Sequence, residues 1–261
     1  MCAERLKNAP LVEVIVEVRW APKEPQPSRG FDLNYNLLVG KLSEVFRDKY
    51  PEYEALPNLE VPARLAAENH LVQHRLRASK EGWPLIQVGP TVFTINQTEE
   101  YDWDNEFRQR AIQDVERFFE AYPKREEMAV QSVLLRYIDA IKFDWAEKSL
   151  WEFLREELHS ALVLPDALYA DTGVDPKPEA LDFRASFRCD SPAGKVHLRL
   201  ASGQSRGEKA LILETMVESA GDNVPELPSR FEPWIDDAHR ITSDWFKRLT
   251  KGKLYRSFQG D

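Results

Sequence analysis

The chain has 261 residues, of which 43% are hydrophobic and 11% aromatic, and it contains seven tryptophans. This composition is typical of a folded globular protein and excludes an intrinsically disordered one. The formal net charge is −9 at pH 7. Because an acidic surface opposes long-range attraction to phosphate groups, the charge disfavours binding to nucleic acid or to an anionic membrane.

The cysteines and the N-terminal residues bear on the cellular compartment. Cys2 and Cys189 are the two cysteines of the chain; they lack metal-ligand spacing and are too few for a disulfide framework, which favours a reducing cytosol. No apolar run approaches the roughly 18 residues of a membrane span, and the first residues lack the architecture of a signal peptide. We therefore expect a cytoplasmic protein without membrane contact.

Motifs for metals and cofactors do not occur in the sequence. None of the five histidines lies in a His-Glu-x-x-His or Cys-x-x-Cys context, which are the spacings that zinc sites use. Glycine-rich loops followed by a helix, which cradle phosphates, are also missing. We therefore expect no metal and no cofactor.

The first half of the chain begins with a strand. Apolar and polar residues alternate from residue 11 to residue 20, which predicts a strand with one buried face. Helical spacing of apolar residues follows at 34–50, alternating segments at 64–97, and a second helical stretch at 103–122. The dipeptide Gly89-Pro90 interrupts the alternating block, where it predicts a bulge or a tight hairpin.

The second half repeats this order of elements. A long apolar run at 130–143 predicts a central strand, and residues 147–159 have helical spacing. Residues 181–217 alternate with turn signals between them, which predicts a three-stranded meander before a helix at 234–249. The longest loop candidate is 164–179, which has the length of a lid or binding loop.

The repeated order predicts an α+β fold that is internally duplicated, with two β-α-β-meander-α halves at residues 1–125 and 126–261. The sheets should be mostly antiparallel, and the body saddle-like or two-lobed. In chain order it resembles the duplicated saddle of the TATA-box-binding fold. A ligand or partner would bind at the interface or cleft between the halves.

Several segments resemble a known family across nearly the whole chain. They are Leu6 to Val14, Pro84 to Pro90 with Asn96 and Tyr101 to Trp103, Leu135 to Ile138, and Ala238-His239 through Phe246 and Leu249. Together they are similar to a sporadically distributed family of uncharacterised prokaryotic proteins that share an "APLVE" strand and an "LIQ-G-P" segment. The resemblance implies no activity. The patchy distribution of the family implies a connection with mobile or defence-associated genes.

Arg136 is the most informative single residue, because it interrupts the apolar run predicted to be central. A buried arginine stays charged and needs a partner. Arg136 therefore either pairs internally, with Asp139 or with a glutamate of another strand, or it presents its guanidinium to an anionic ligand.

Further candidates for binding a ligand or partner lie in the predicted strands and beside them. Arg184, Arg188 and Arg199 share the exposed side of the meander, where acidic residues of neighbouring strands could neutralise them. Gln87 and Asn96 are polar residues in apolar strands and must be hydrogen-bonded. Tyr101, in a segment that resembles the family, completes the set.

The sequence leads to three functional hypotheses. We expect a non-catalytic binding module, a homodimer with a protein partner, in a prokaryotic defence or toxin-neutralising context. The alternatives are an enzyme with an anion-binding site between the halves near Arg136 and a protein that binds nucleic acid through its strand arginines. The acidic net charge favours the first hypothesis.

Overall fold

The computed structural model describes residues 6–24, 32, 34–98, 100–145 and 148–260. These residues form a mixed α+β fold around one antiparallel sheet of nine strands. The strands are β1 (Leu11–Pro22), β2 (Glu52–Ala55), β3 (His74–Arg77), β4 (Leu85–Gly89), β5 (Val92–Gln97), β6 (Met128–Ile141), β7 (Asp182–Asp190), β8 (Ala193–Ser205) and β9 (Glu208–Ala220). Their order across the sheet is β2-β3-β4-β5-β1-β6-β9-β8-β7.

The helices are α1 (Tyr35–Val45), α2 (Ala63–Glu68), α3 (Arg108–Ala121), α4 (Leu150–Glu157), α5 (Phe231–Leu249) and α6 (Lys253–Gln259). A π-helical turn at Trp103–Phe107 leads into α3. The Asp102 side chain caps this turn by accepting the backbone N–H of Asn105 at 3.0 Å. None of these helices, within the described residues, is both long and apolar enough to cross a membrane.

The core lies on one face of the sheet. In β1 the side chains of Val14, Val16 and Val18 are at most 1% exposed, and residues of α1, α3 and α5 pack in the same cluster with them. The alternation in the sequence reflects this one-sided burial. We call the opposite surface the polar face; Glu13, Glu17, Arg136, Arg199 and Glu214 project from it.

The first strands of the two predicted halves, β1 and β6, lie side by side at the centre of the sheet. β1 pairs antiparallel with β6, and Val14 is opposite Tyr137. On one side of this pair the order outward is β5, β4, β3, β2, and on the other it is β9, β8, β7. A long helix follows the last strand of each group, α3 after β5 and α5 after β9.

The predicted turns lie close to where the sequence signals them. Gly89 is opposite Val92, so β4 and β5 form a tight hairpin, and a Cβ at Gly89 would lie 2.0 Å from the Leu71 carbonyl oxygen. β7, β8 and β9 form the predicted meander. Its second turn is Arg206-Gly207, where both residues have positive φ angles.

Two elements differ from the prediction. The block predicted as alternating at 64–97 contains α2, and β2 follows directly after the first predicted helix. Both are too short for a period to stand out in the sequence. The predicted helix at 147–159 is observed as α4, and residue 147 lies outside the described residues. The predicted loop at 164–179 is an exposed segment with one short 3₁₀ turn, Asp166–Leu168.

Candidate functional site

The structure separates the residues predicted to bind a ligand into two places. Six of them are on strands and point to the polar face: Gln87, Asn96, Arg136, Arg184, Arg188 and Arg199. Tyr101 lies on the opposite side of the sheet, in a cavity beneath α5. The predicted set therefore does not form one site.

On the polar face, Arg136 pairs with a glutamate of the neighbouring strand. Its Nη2 lies 2.7 Å from Oε2 of Glu214 on β9. Asp139, the other candidate partner, has the opposite parity on β6 and faces the helices. The Nε atom of Arg136 is buried and has no hydrogen-bond partner in the described part of the chain. The positive charge of Arg136 is thus paired with a carboxylate of the protein itself.

The other arginines of the polar face differ in their partners. Arg199 Nε lies 2.9 Å from Asp182, and Arg184 Nη2 lies 3.2 Å from the same carboxylate. The predicted cross-strand pairing is therefore present for Arg199. Arg188 is exposed and has no ion pair among the described residues. Exposed pairs of this kind contribute about 1 kcal/mol or less to stability.

Gln87 and Asn96 are hydrogen-bonded to neighbouring side chains, as buried polar groups must be. Asn96 Nδ2 donates to Glu13 at 2.7 Å, and its Oδ1 accepts from Thr94 at 2.6 Å. Gln87 Oε1 accepts from Nη2 of Arg75 at 3.1 Å. These hydrogen bonds explain why two polar residues lie in these strands, without a bound ligand.

We expect the substitution Arg136→Met to lower the free energy of unfolding by about 1–2 kcal/mol, because it leaves the mostly buried Glu214 without its closest cation. Arg199, 3.9 Å from the same carboxylate, limits the loss. Urea unfolding measures the difference, with Arg64→Met, which removes an exposed pair on α2, as the control that should change little. A midpoint that is unchanged or higher would instead make Arg136 a site for an anion.

A cavity with a volume of about 620 Å³ lies on the helical side of the sheet. On the sheet it is lined by Leu11 of β1, Tyr137 and Asp139 of β6, and Thr215 of β9. Further lining residues come from Thr98, from residues 100–103 before α3, from α5 and from α6. The cavity therefore lies where the elements following β5 meet those following β9.

A chain of hydrogen bonds crosses this cavity. The hydroxyl groups of Tyr101 and Tyr137 lie 2.7 Å apart, and the Tyr137 hydroxyl lies 2.9 Å from Nδ1 of His239. The Trp103 ring stacks on the imidazole with centroids 3.7 Å apart. Burial lowers the pKa of His239 to about 4 and raises the pKa of both tyrosines. All three groups are consequently neutral near pH 7.

Asp139 is the ionisable group that distinguishes the cavity. It follows Tyr137 by two residues on β6, so both side chains point to the same side of the sheet. Its side chain is 5% exposed, and no hydrogen bond or ion pair to it exists among the described residues. Burial raises the pKa of Asp139 to about 7. A carboxyl group of this kind, which changes charge near neutral pH, can bind a ligand or exchange a proton with one.

Sequence reasoning placed Tyr101 among the candidates but missed Tyr137, Asp139 and His239. The signal for Asp139 was present, because this acidic residue has the same parity in β6 as the apolar residues Val133 and Leu135. His239 gave no local signal, since its contact with Tyr137 spans 102 residues. Within the described residues, no group of three or more histidines, cysteines or acidic residues could hold a metal ion.

Comparisons with known proteins add no family assignment. A scan against protein-family models and a search of curated proteins gave no match to this chain.

Proposed function

We propose that this protein is a non-catalytic binding module for a small organic molecule with a basic nitrogen, held in the cavity that contains Asp139. The volume of about 620 Å³ lies within the range of ligand pockets, about 300–1,000 Å³. The observation that carries the proposal is the buried carboxyl group of Asp139, for which the described part of the chain supplies no partner.

A buried carboxylate without a partner is costly, because its negative charge has lost its hydration. A protonated amine would compensate for the lost hydration, since it supplies both a positive charge and N–H donors. The neutral side chains of Tyr101, Tyr137 and His239 cannot supply that charge. A cationic ligand is therefore the chemical class that gains most from this position.

The lining of the cavity supports the same class of ligand. Five aromatic side chains line it: Tyr101, Trp103, Tyr137, Phe246 and Tyr255. Aromatic faces attract cations as well as apolar groups. The lining residues include three carboxyl groups, those of Glu100, Asp102 and Asp139, and two lysines, Lys7 and Lys247. An organic cation with an apolar or aromatic body suits this surface.

The experiment compares three small probes with a common phenyl group and different charges: 2-phenylethylamine, 2-phenylethanol and phenylacetate. Isothermal titration calorimetry and ligand-observed NMR measure their binding to the full chain. We expect the amine to bind at least about tenfold more tightly than the alcohol, a difference of about 1.4 kcal/mol. Asp139→Asn should remove that preference, and Asp166→Asn, in the exposed loop, should retain it.

The pH dependence gives a second test. A cation binds the ionised form of Asp139, so affinity for the amine should rise between about pH 6 and about pH 8 and level off above. Binding of the alcohol or phenylacetate alone would refute the cationic ligand while leaving the cavity as a binding site. Absence of binding by all three probes at millimolar concentration would contradict the proposal as a whole.

The other sequence-based hypotheses stay predictions. A protein partner and a defence context are compatible with a small-ligand module. Arg136, Arg184 and Arg199 are paired with carboxylates, which does not favour an anion or nucleic acid on the polar face. We also propose that the chain arose by duplication, with the saddle-like shape that follows. The strand order around β1 and β6 supports this.

A further inference from the structure

We propose that two copies of this chain form a homodimer by pairing their β7 strands antiparallel about a two-fold axis at Ala185. β7 ends the sheet and has nine residues, whereas the strand at the opposite edge, β2, has four. No backbone hydrogen bond in the described ranges reaches the outer edge of β7. A long edge of this kind is a template for pairing with another chain.

The backbone groups that point outward follow from the pairing with β8. Ser202 donates its backbone N–H to the carbonyl oxygen of Leu181 at 2.8 Å, and the register from Leu181 onward continues without a shift. Odd-numbered residues therefore direct their N–H and C=O groups toward β8. The even-numbered residues, such as Arg184 and Ser186, direct theirs outward and are available to a second copy.

Side-chain complementarity selects the register. With Ala185 on the axis, Asp182 lies opposite Arg188 of the second copy, and Phe183 lies opposite Phe187. Arg188 has no ion pair in the described residues, and the two phenylalanines are 37% and 47% exposed. Opposite charges and paired aromatic residues stabilise antiparallel strands. The dimer thus gives partners to side chains that the single chain leaves exposed.

A neighbouring register is unfavourable. With the axis at Ser186, Asp182 would lie opposite Asp190 and Arg184 opposite Arg188 of the second copy. Like charges directly opposite each other destabilise a strand pair. The charges of β7 therefore favour the register at Ala185 over the register at Ser186.

Disulfide cross-linking tests the register. In a Cys2→Ser, Cys189→Ser background, Ala185→Cys places two thiols opposite each other in a non-hydrogen-bonded pair, with Cα atoms about 4.5 Å apart. This separation lies within the range that disulfides span. We expect a covalent dimer under mild oxidation. Phe187→Cys in the same background is the control, because its two copies would lie about 13 Å apart and should not cross-link.

Sedimentation equilibrium of the full chain tests association without a cross-link. The wild type should dimerise, and Arg188→Glu should raise the dimer dissociation constant by about tenfold or more, because it places two acidic side chains opposite each other. Lys41→Glu, on the exposed side of α1, changes the net charge equally and should have no effect. A monomeric wild type overturns the proposal. The proposal is also overturned if Arg188→Glu leaves the dimer dissociation constant unchanged and the dimer cross-links through position 187 rather than 185.

Discussion

We expect Asp139→Asn to stabilise the ligand-free protein against unfolding, by on the order of 2–4 kcal/mol at pH 8. Burial raises the pKa of Asp139 from 3.8 to about 7, so the folded state holds a proton that the unfolded state releases. Each pKa unit corresponds to about 1.4 kcal/mol, which sets the upper limit. The asparagine cannot ionise, but its own buried amide needs partners, which reduces the gain.

The gain should depend on pH with a defined sign. Below about pH 4 both states of the wild type bind the proton, so burial of the group adds no penalty from charge. Between about pH 4 and about pH 7 unfolding releases the proton, and the stability of the wild type falls relative to the variant. Above about pH 7 the difference is constant and largest.

Urea unfolding of both proteins at about pH 4 and about pH 8 measures this dependence. Asp166→Asn, with its side chain in solvent, serves as the control and should follow the wild type at both pH values. A variant that is less stable than the wild type at the higher pH would mean that the carboxylate has a stabilising partner in the folded protein. Together with the loss of amine binding, the expected result would identify Asp139 as a residue kept for function at the expense of stability.

Much of the fold was accessible from the sequence, and the one-sided burial of β1 shows why. Val14, Val16 and Val18 alternate with charged residues, and this period identifies β1 directly. A long apolar run predicted β6, and the alternating period also predicted the meander. It failed for β2 and α2, since four and six residues are too few for a period.

The candidate site was harder to predict, and Arg136 and Asp139 show why. Both are ionisable residues in the same apolar strand, and the local sequence pattern does not distinguish their environments. Their separation by three residues places them on opposite faces of the sheet. Only the helices decide which face is buried, so Arg136 finds Glu214 on the polar face, whereas Asp139 lies beneath α5 without a partner.

The contacts of the cavity are also distant in sequence. Tyr101, Tyr137 and His239 come from three separate elements, and their hydrogen bonds span 36 and 102 residues. No local pattern marks such a combination.

A second large effect should come from Asp114, on α3. Its carboxylate is fully buried and accepts the Tyr50 hydroxyl hydrogen at 2.5 Å. Lys49 Nζ lies 3.4 Å from the same carboxylate. Arg110 donates to the Tyr50 oxygen at 3.2 Å and also to Gln97 at the end of β5. This network joins α3 to the sheet directly before the residues that form the cavity wall.

We expect Asp114→Ala to lower the free energy of unfolding by about 3–5 kcal/mol, because it removes one member of a buried charged network and leaves the others without compensation. Tyr50→Phe removes a single hydroxyl group and should cost about 1–2 kcal/mol. Arg117→Met, on the same helix but paired with the exposed Asp48, is the control and should cost less than about 1 kcal/mol. Urea unfolding at neutral pH ranks the three variants. If Asp114→Ala proved no more costly than Arg117→Met, the network would not be what fixes α3 to the sheet, and the position of the cavity wall would have to depend on the apolar contacts of α3 alone.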